Sequence, residues 1–145
     1  MKHILVLYQS RGGHTREVAE TIGQALGKMN HDVSVKSVIE VSKADIEKAD
    51  AVFVGTWVHG LILFGVRPAG AELWVPSLPS LEGKPVGIFC TYAFNPRGSL
   101  RMLGEMLEER GATIVGQQAF HRSRLNDGVE DFVGKVLAGV EGTLA

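Results

Sequence analysis

Ser10-Arg11-Gly12-Gly13-His14-Thr15 brings two hydroxyls, two glycines and the expected start of a helix together directly after the apolar run Ile4 to Tyr8. Such a segment suits a phosphate. N–H groups at a helix N-terminus have no intrahelical partner and sit at the positive end of the helix dipole, and glycines let the backbone approach an anion closely. The same spacing fits a plainer role in which Ser10 and Thr15 only cap the helix. The segment is neither the Walker loop, whose Lys-Ser/Thr pair is missing, nor the G-x-G-x-x-G fingerprint. His14 and His59 carry the one side chain that titrates near neutrality, which allows proton donation, although loop histidines more often bind phosphate or solvent. Cys90 is the only cysteine, so an internal disulfide and a four-thiolate metal site are excluded. It lies inside the apolar run Val86 to Cys90, where a thiol is expected to pack and not react.

Such a loop has to be positioned by elements that apolar periodicity reveals. Ile4 to Tyr8, Ala51 to Gly55 and Val86 to Cys90 are short, continuously apolar and bounded by Gly, Pro or polar residues, as central parallel strands are. Asp32 to Ser37 alternates Val33 and Val35 with polar residues and reads as an edge strand, and Thr113 to Phe120 supplies a fifth. Between them, Val18, Ile22, Leu26 and Met29 share one side of a helix over about 13 to 29. Pro68 can open a helix presenting Leu73 and Trp74. Leu100, Leu103 and Leu107 mark another, with Pro96 near its start and Gly111 at its stop. Val129, Phe132, Val133, Val136, Leu137 and Val140 stripe the last, capped by Asn126 or Asp127. Alternating strands and helices give an α/β fold, a three-layer doubly wound five-stranded parallel sheet with right-handed crossovers. Ligands of such sheets bind beyond the carboxyl ends of the strands, which singles out residues 9–15, 56–67 and 91–99.

The chain has 145 residues, 45% hydrophobic and 21% charged, which suits one domain over 1–145 and excludes disorder. With 15 Lys plus Arg against 16 Asp plus Glu, the formal net charge is −1, so no dedicated nucleic-acid binder is expected. No run approaches the roughly twenty apolar residues of a membrane span, and Ile4 to Leu7 is too short for a signal-peptide core. A cytoplasmic protein is expected.

From Val6 to Ala19 the sequence VLYQSRGGHTREVA resembles the flavodoxin family, whose pattern is two aliphatics, an aromatic, any residue, Ser/Thr, two variable positions, a small residue, any, Thr, three variable and Ala. The likeness continues through Ile22 and, in the number and spacing of strands, over nearly the whole chain, in the short-chain form. It implies a flavodoxin-like sheet with strand order 2-1-3-4-5 and a first loop, Ser10, Arg11, Gly12, Gly13, His14 and Thr15, that holds the phosphate of FMN. The receiver domain shares this fold but needs acidic residues after the first strand and an Asp after the third. Ser10 and Thr56 stand in those places, so magnesium-dependent phosphotransfer is not expected.

The flavin ring is flat and aromatic and binds by stacking and exclusion from water. The resemblance assigns that stacking to Trp57 and Tyr92, with Phe94 as substitute for Tyr92, and the lining of the ring to Thr56, Val58, His59, Gly60, Thr91, Ala93 and Asn95. Flavodoxins often place glycine just after the stacking aromatic, where a peptide flip meets the N5 proton. Here Val58 follows Trp57 and the nearest glycine is Gly60. The three loops contain no Asp or Glu but do contain Arg11, His14, His59, Arg67 and Arg97, unlike the acidic surroundings usual in the family. Arginines facing the ring would make its full reduction less difficult than in acidic relatives. Leu61-Ile62-Leu63-Phe64 is unusually apolar for a loop, and suits a quinone-like acceptor, a homodimer contact or simple burial. His121-Arg122-Ser123-Arg124 reads as a solvated surface connection. The expected function is FMN-dependent electron transfer with redox partner proteins or a small quinone-like acceptor. An FMN-dependent NAD(P)H or quinone oxidoreductase and a flavin-free interaction domain are the alternatives.

Overall fold

A computed structural model of the chain describes residues 1–9, 13–59, 67–68, 74–93 and 98–144, with Val58, His59, Arg67, Pro68, Thr143 and Leu144 described by backbone path alone. Its elements are β1 (His3–Tyr8), α1 (His14–Lys28), β2 (Asp32–Ser37), α2 (Lys43–Lys48), β3 (Ala51–His59), β4 (Arg67–Pro68), a 3-10 turn (Val75–Ser77), β5 (Pro85–Tyr92), α3 (Ser99–Glu108), β6 (Thr113–His121) and α4 (Val129–Leu144). Five strands are parallel in the order β2-β1-β3-β5-β6, and the two-residue β4 pairs antiparallel with the end of β3. Counted without β4, this is the expected 2-1-3-4-5 arrangement.

The sheet is buried on both sides because helices cover both. Ile4, Val6, Phe53 and Phe89 point to the face covered by Val18, Ile22 and Leu26 of α1 and by Phe132, Val133 and Val136 of α4. Leu5, Leu7, Val52, Val54 and Ile88 point to the opposite face, against Ile46 of α2 and Leu103 and Leu107 of α3. This double coverage is why the central strands read as unbroken apolar runs, while β2, with a neighbour on one side only, alternates. Phe132 meets Phe53, Phe120 and Phe89 edge-on, with ring centroids 5.5, 5.9 and 6.3 Å apart. Gly55 has no side chain because the Phe89 ring fills the space where its Cβ would stand.

Several sequence expectations shift. Met29 leaves the apolar stripe: α1 ends at Lys28, and Met29 is its C-cap, 43% exposed, with its N–H turned back to the Leu26 carbonyl and that of Asn30 to the Gly27 carbonyl. Pro68 does not open a helix but lies in β4, opposite Val58. Leu73 lies outside the described residues, and Trp74 is buried immediately before the 3-10 turn. Neither Asn126 nor Asp127 directly precedes α4. Gly128 does, at φ 84°, with its carbonyl accepting from Phe132 N, while the Asn126 side-chain oxygen accepts from Thr21 Oγ1 at 3.2 Å. α2, absent from the sequence reading, starts in a capping box in which Ser42 and Asp45 satisfy each other's backbone N–H groups. Among the described residues no helix is long and apolar enough to cross a membrane.

Two outcomes follow from this packing. Gly55→Ala should destabilise the fold by about 1–3 kcal/mol, because the Phe89 ring cannot retreat from a full core, and a urea titration would read this. Asp45 accepts from Ser42 N at 2.9 Å and from Lys36 Nζ at 2.9 and 3.0 Å, and these donors hold its carboxyl at about 2, below the ordinary 3.8. A folded value below the unfolded one gives stability that is complete above 3.8 and disappears as pH falls toward about 2. The stability gap between wild type and Asp45→Asn should therefore shrink through that window, and urea midpoints measured across it would show the convergence.

Candidate functional site

Three of the central strands end side by side, and the chain leaving each is anchored there. Beyond β1, Gln9 N–H donates to the Gly55 carbonyl at 2.9 Å, holding the start of the first loop against β3. Ser10, Arg11 and Gly12 lie outside the described residues. Gly13 follows as the N-cap of α1 in the left-handed region, φ 89°, where glycine carries no steric penalty. Its carbonyl accepts from Glu17 N at 2.9 Å, and as a glycine it caps the helix with no side chain of its own. Thr15 therefore does not cap. It is 1% exposed, and its Oγ1 lies 2.8 Å from Thr91 Oγ1 at the end of β5. His14, next to it, is exposed.

At the end of β3, Thr56 is fully buried and its hydroxyl has no hydrogen-bond partner among the described residues. Trp57 is half-buried and stands beside Thr91 in the β3–β5 register. Alternation along the strand turns Trp57 to the α1 side, with Gly55 and Phe53, and Thr56 to the α3 side, with Val54. The backbone of Val58 and His59 pairs with Pro68 and Arg67. Gly60 and the apolar segment Leu61 to Phe64 lie outside the described residues.

At the end of β5, Thr91 is buried and Tyr92 and Ala93 are half-buried, whereas Phe94, Asn95, Pro96 and Arg97 lie outside the described residues. The Tyr92 ring meets His121 edge-on, centroids 5.1 Å apart and planes at 90°. His121 Nδ1 accepts from Ser123 N–H at 3.1 Å and lies 2.7 Å from Ser123 Oγ. With Nδ1 accepting, the ring proton is on Nε2, which donates to the Ala93 carbonyl at 3.0 Å. Arg122 N–H donates to the Tyr92 carbonyl at 2.8 Å. The turn after β6 is the surface connection expected, with Arg122, Ser123 and Arg124 exposed, and it is fastened to the end of β5. Strand order held the signal, since β6 neighbours β5 and its exit must lie beside Tyr92.

Cys90, one residue below, is 1% exposed, and burial pushes its thiol up to about 12, so it stays protonated and inert near neutrality. No group of three or more His, Cys, Asp or Glu side chains placed to hold a metal occurs among the described residues. An open groove of about 570 Å³ lies away from the strand ends, between Thr21, Lys28 and Met29 of α1 and its C-cap and Asn126, Glu130 and Asp131 at the start of α4. The His121 geometry has a direct check: a long-range ¹H–¹⁵N spectrum of the neutral ring should show the proton on Nε2, and an Nδ1–H tautomer would contradict it.

Residues 5–118 match the family model of the flavodoxin domain. The chain is 29% identical over 131 residues to a flavodoxin from Maridesulfovibrio salexigens, covering 80% of this chain and 83% of that protein. Among solved structures, the two-electron reduced flavodoxin of Megasphaera elsdenii superposes with a TM-score of 0.73 at 20% identity, covering 95% of this chain and 98% of that one. Oxidised flavodoxin 2 of Bacillus cereus does so with a TM-score of 0.71 at 23% identity, covering 97% and 99%.

Proposed function

The chain belongs to the flavodoxin family, and from that premise we propose that residues 9–15 hold FMN by its phosphate while Trp57 and Tyr92 flank its ring. The protein is an FMN-binding electron-transfer protein that passes electrons to redox partner proteins. Bound FMN supplies the redox chemistry, and the chain supplies binding, orientation and exclusion of water.

The residues present fit that cofactor. A helix N-terminus opened by Gly13, which has no side chain of its own to cap it, suits an anion at its first-turn N–H groups. The Thr15–Thr91 hydrogen bond holds this terminus against the end of β5, near the side chains that would face the ring. That bond is the observation that carries the reading. Ser10, Arg11, Gly12, Gly13, His14 and Thr15 are assigned to the phosphate, with Thr15 acting through its N–H and the hydroxyl capacity that Thr91 leaves over. Alternation turns Trp57 of β3 and Tyr92 of β5 to opposite faces of the sheet, so a flat ring held across the strand ends would have one of them on each side. The buried, unpartnered hydroxyl of Thr56 is a ready donor beneath the ring edge. Thr91 and Ala93, with Val58, His59, Gly60, Phe94 and Asn95 in the adjoining chain, complete the lining.

The strand pairing of Val58 and His59 with Pro68 and Arg67 makes 60–66 the connection of a hairpin grown from the central strand. Its Leu61 to Phe64 segment favours a second reading, contact with a small quinone-like acceptor or with a second copy of the chain. Direct NAD(P)H oxidation with a quinone would mark that enzyme, whereas a reducible flavin inactive with NAD(P)H marks the carrier. A cytoplasmic location suits either.

Fluorescence titration tests the cofactor site. FMN should bind one to one, riboflavin, which lacks the phosphate, about a hundredfold more weakly, and Trp57→Ala should weaken FMN by about tenfold, about 1.4 kcal/mol. Equal affinity for riboflavin would remove the phosphate role of residues 10–15, and the absence of any complex would remove the site.

A further inference from the structure

We propose that the turn after β6 is the rim on which this protein docks an acidic redox partner, a protein surface presenting several carboxylates. Arg122 and Arg124 are exposed and take part in none of the ion pairs among the described residues. The other described arginines are committed: Arg16 to Glu20, Arg101 to Glu105, and Arg110 to the Leu78 carbonyl. The two free guanidinium groups grow from a fixed backbone, since Arg122 N–H donates to the Tyr92 carbonyl and Arg124 N–H to the His121 carbonyl, each at 2.8 Å. His121 adds a third tie through Ala93. The free charge is therefore held within one hydrogen bond of a residue assigned to the flavin ring.

Chain position extends the pattern. The connections 9–15, 56–67 and 91–99, together with 121–126, contain no Asp, Glu or Lys, while Arg11, Arg67 and Arg97 join Arg122 and Arg124 within them. Asp127, the next carboxylate along the chain, is exposed and pairs with neither arginine. A rim whose Lys and Arg are all arginine suits carboxylates, because the planar guanidinium binds them in a fork and is more weakly hydrated than an ammonium. Exposed, unpaired charge of one sign steers an oppositely charged surface before contact and fixes its orientation on arrival. These arginines are not spare phosphate ligands for FMN, since β6 is the outermost strand and β5 and β3 separate it from β1.

The inference rests on the FMN reading for what the rim surrounds, and its test separates the two. Amide shifts of ¹⁵N-labelled apoprotein would be followed as poly-L-glutamate is added at about 0.01 M ionic strength, where the Debye length is about 30 Å, and again at about 1 M, where it is about 3 Å. The expected shifts centre on residues 121–125, vanish at high salt, are not produced by poly-L-lysine, and fall about fivefold or more in Arg122→Gln/Arg124→Gln. Shifts spread over the surface, or unchanged in the double variant, would overturn the proposal. So would stronger shifts at the same residues with 2′,5′-ADP, which would make this a nucleotide site. FMN affinity, measured in parallel, should agree within about twofold between wild type and variant. A wild type that binds poly-L-glutamate at the turn but not FMN defeats the cofactor reading alone, and one that binds FMN without the localised shifts defeats the rim alone.

Discussion

The buried hydrogen bond between the hydroxyls of Thr15 and Thr91 is the constraint on which the functional end of the molecule depends. Helix α1 begins beyond β1, yet it must lie over the sheet with its first turn aimed at β5, with β3 between. Two features make that crossing possible. Gly55 carries no side chain where the Phe89 ring packs on the α1 side of the sheet, and Gly13 turns the chain through a left-handed conformation just before the helix. The bond then fixes the angle at which α1 presents its first-turn N–H groups. Neither hydroxyl has access to water, so loss of either partner leaves the other buried and unmatched at about 1–3 kcal/mol.

How much of this was legible depends on which residues carry their information locally. Ile4 to Tyr8, Ala51 to Gly55 and Val86 to Cys90 announced themselves because a strand covered on both faces has no polar position to alternate with. Their true ends, His59 and Tyr92, lie beyond the apolar runs, in residues whose strand conformation comes from pairing with neighbours rather than from their own side chains. Helix α2 was missed although Ser42-x-x-Asp45 is a recognisable N-terminal signal, because its six residues are too few to show a period. Met29 continues the spacing of Val18, Ile22 and Leu26, but the helix has ended before it.

At the candidate site, residue types indicated the ends of the central strands but said less about what each side chain does there. Thr15 could be read as cap or phosphate ligand, and the structure gives its hydroxyl to Thr91, a partner 76 residues away that no local pattern indicates. The arginines after His121 do face solvent, as expected, but nothing in their own spacing shows that the turn is tied to the end of β5. Once strand order is known, the register pairing of Tyr92 with His121 places them at once. Topology therefore supplies what periodicity cannot, the identity of neighbours distant in sequence.

The distribution of unsatisfied groups points the same way as the distribution of charge. Of the buried side-chain atoms without a partner among the described residues, Thr56 Oγ1 lies toward the carboxyl end of β3 and Ser99 Oγ starts α3, both around the same connections, while Arg110 Nε is at the other end. The remaining buried residues among those described are mostly apolar, and the buried polar Thr15, Thr91 and Asp45 are hydrogen-bonded. The unmatched hydroxyls of Thr56 and Ser99 thus lie at the same end of the sheet as the connections proposed to hold the cofactor.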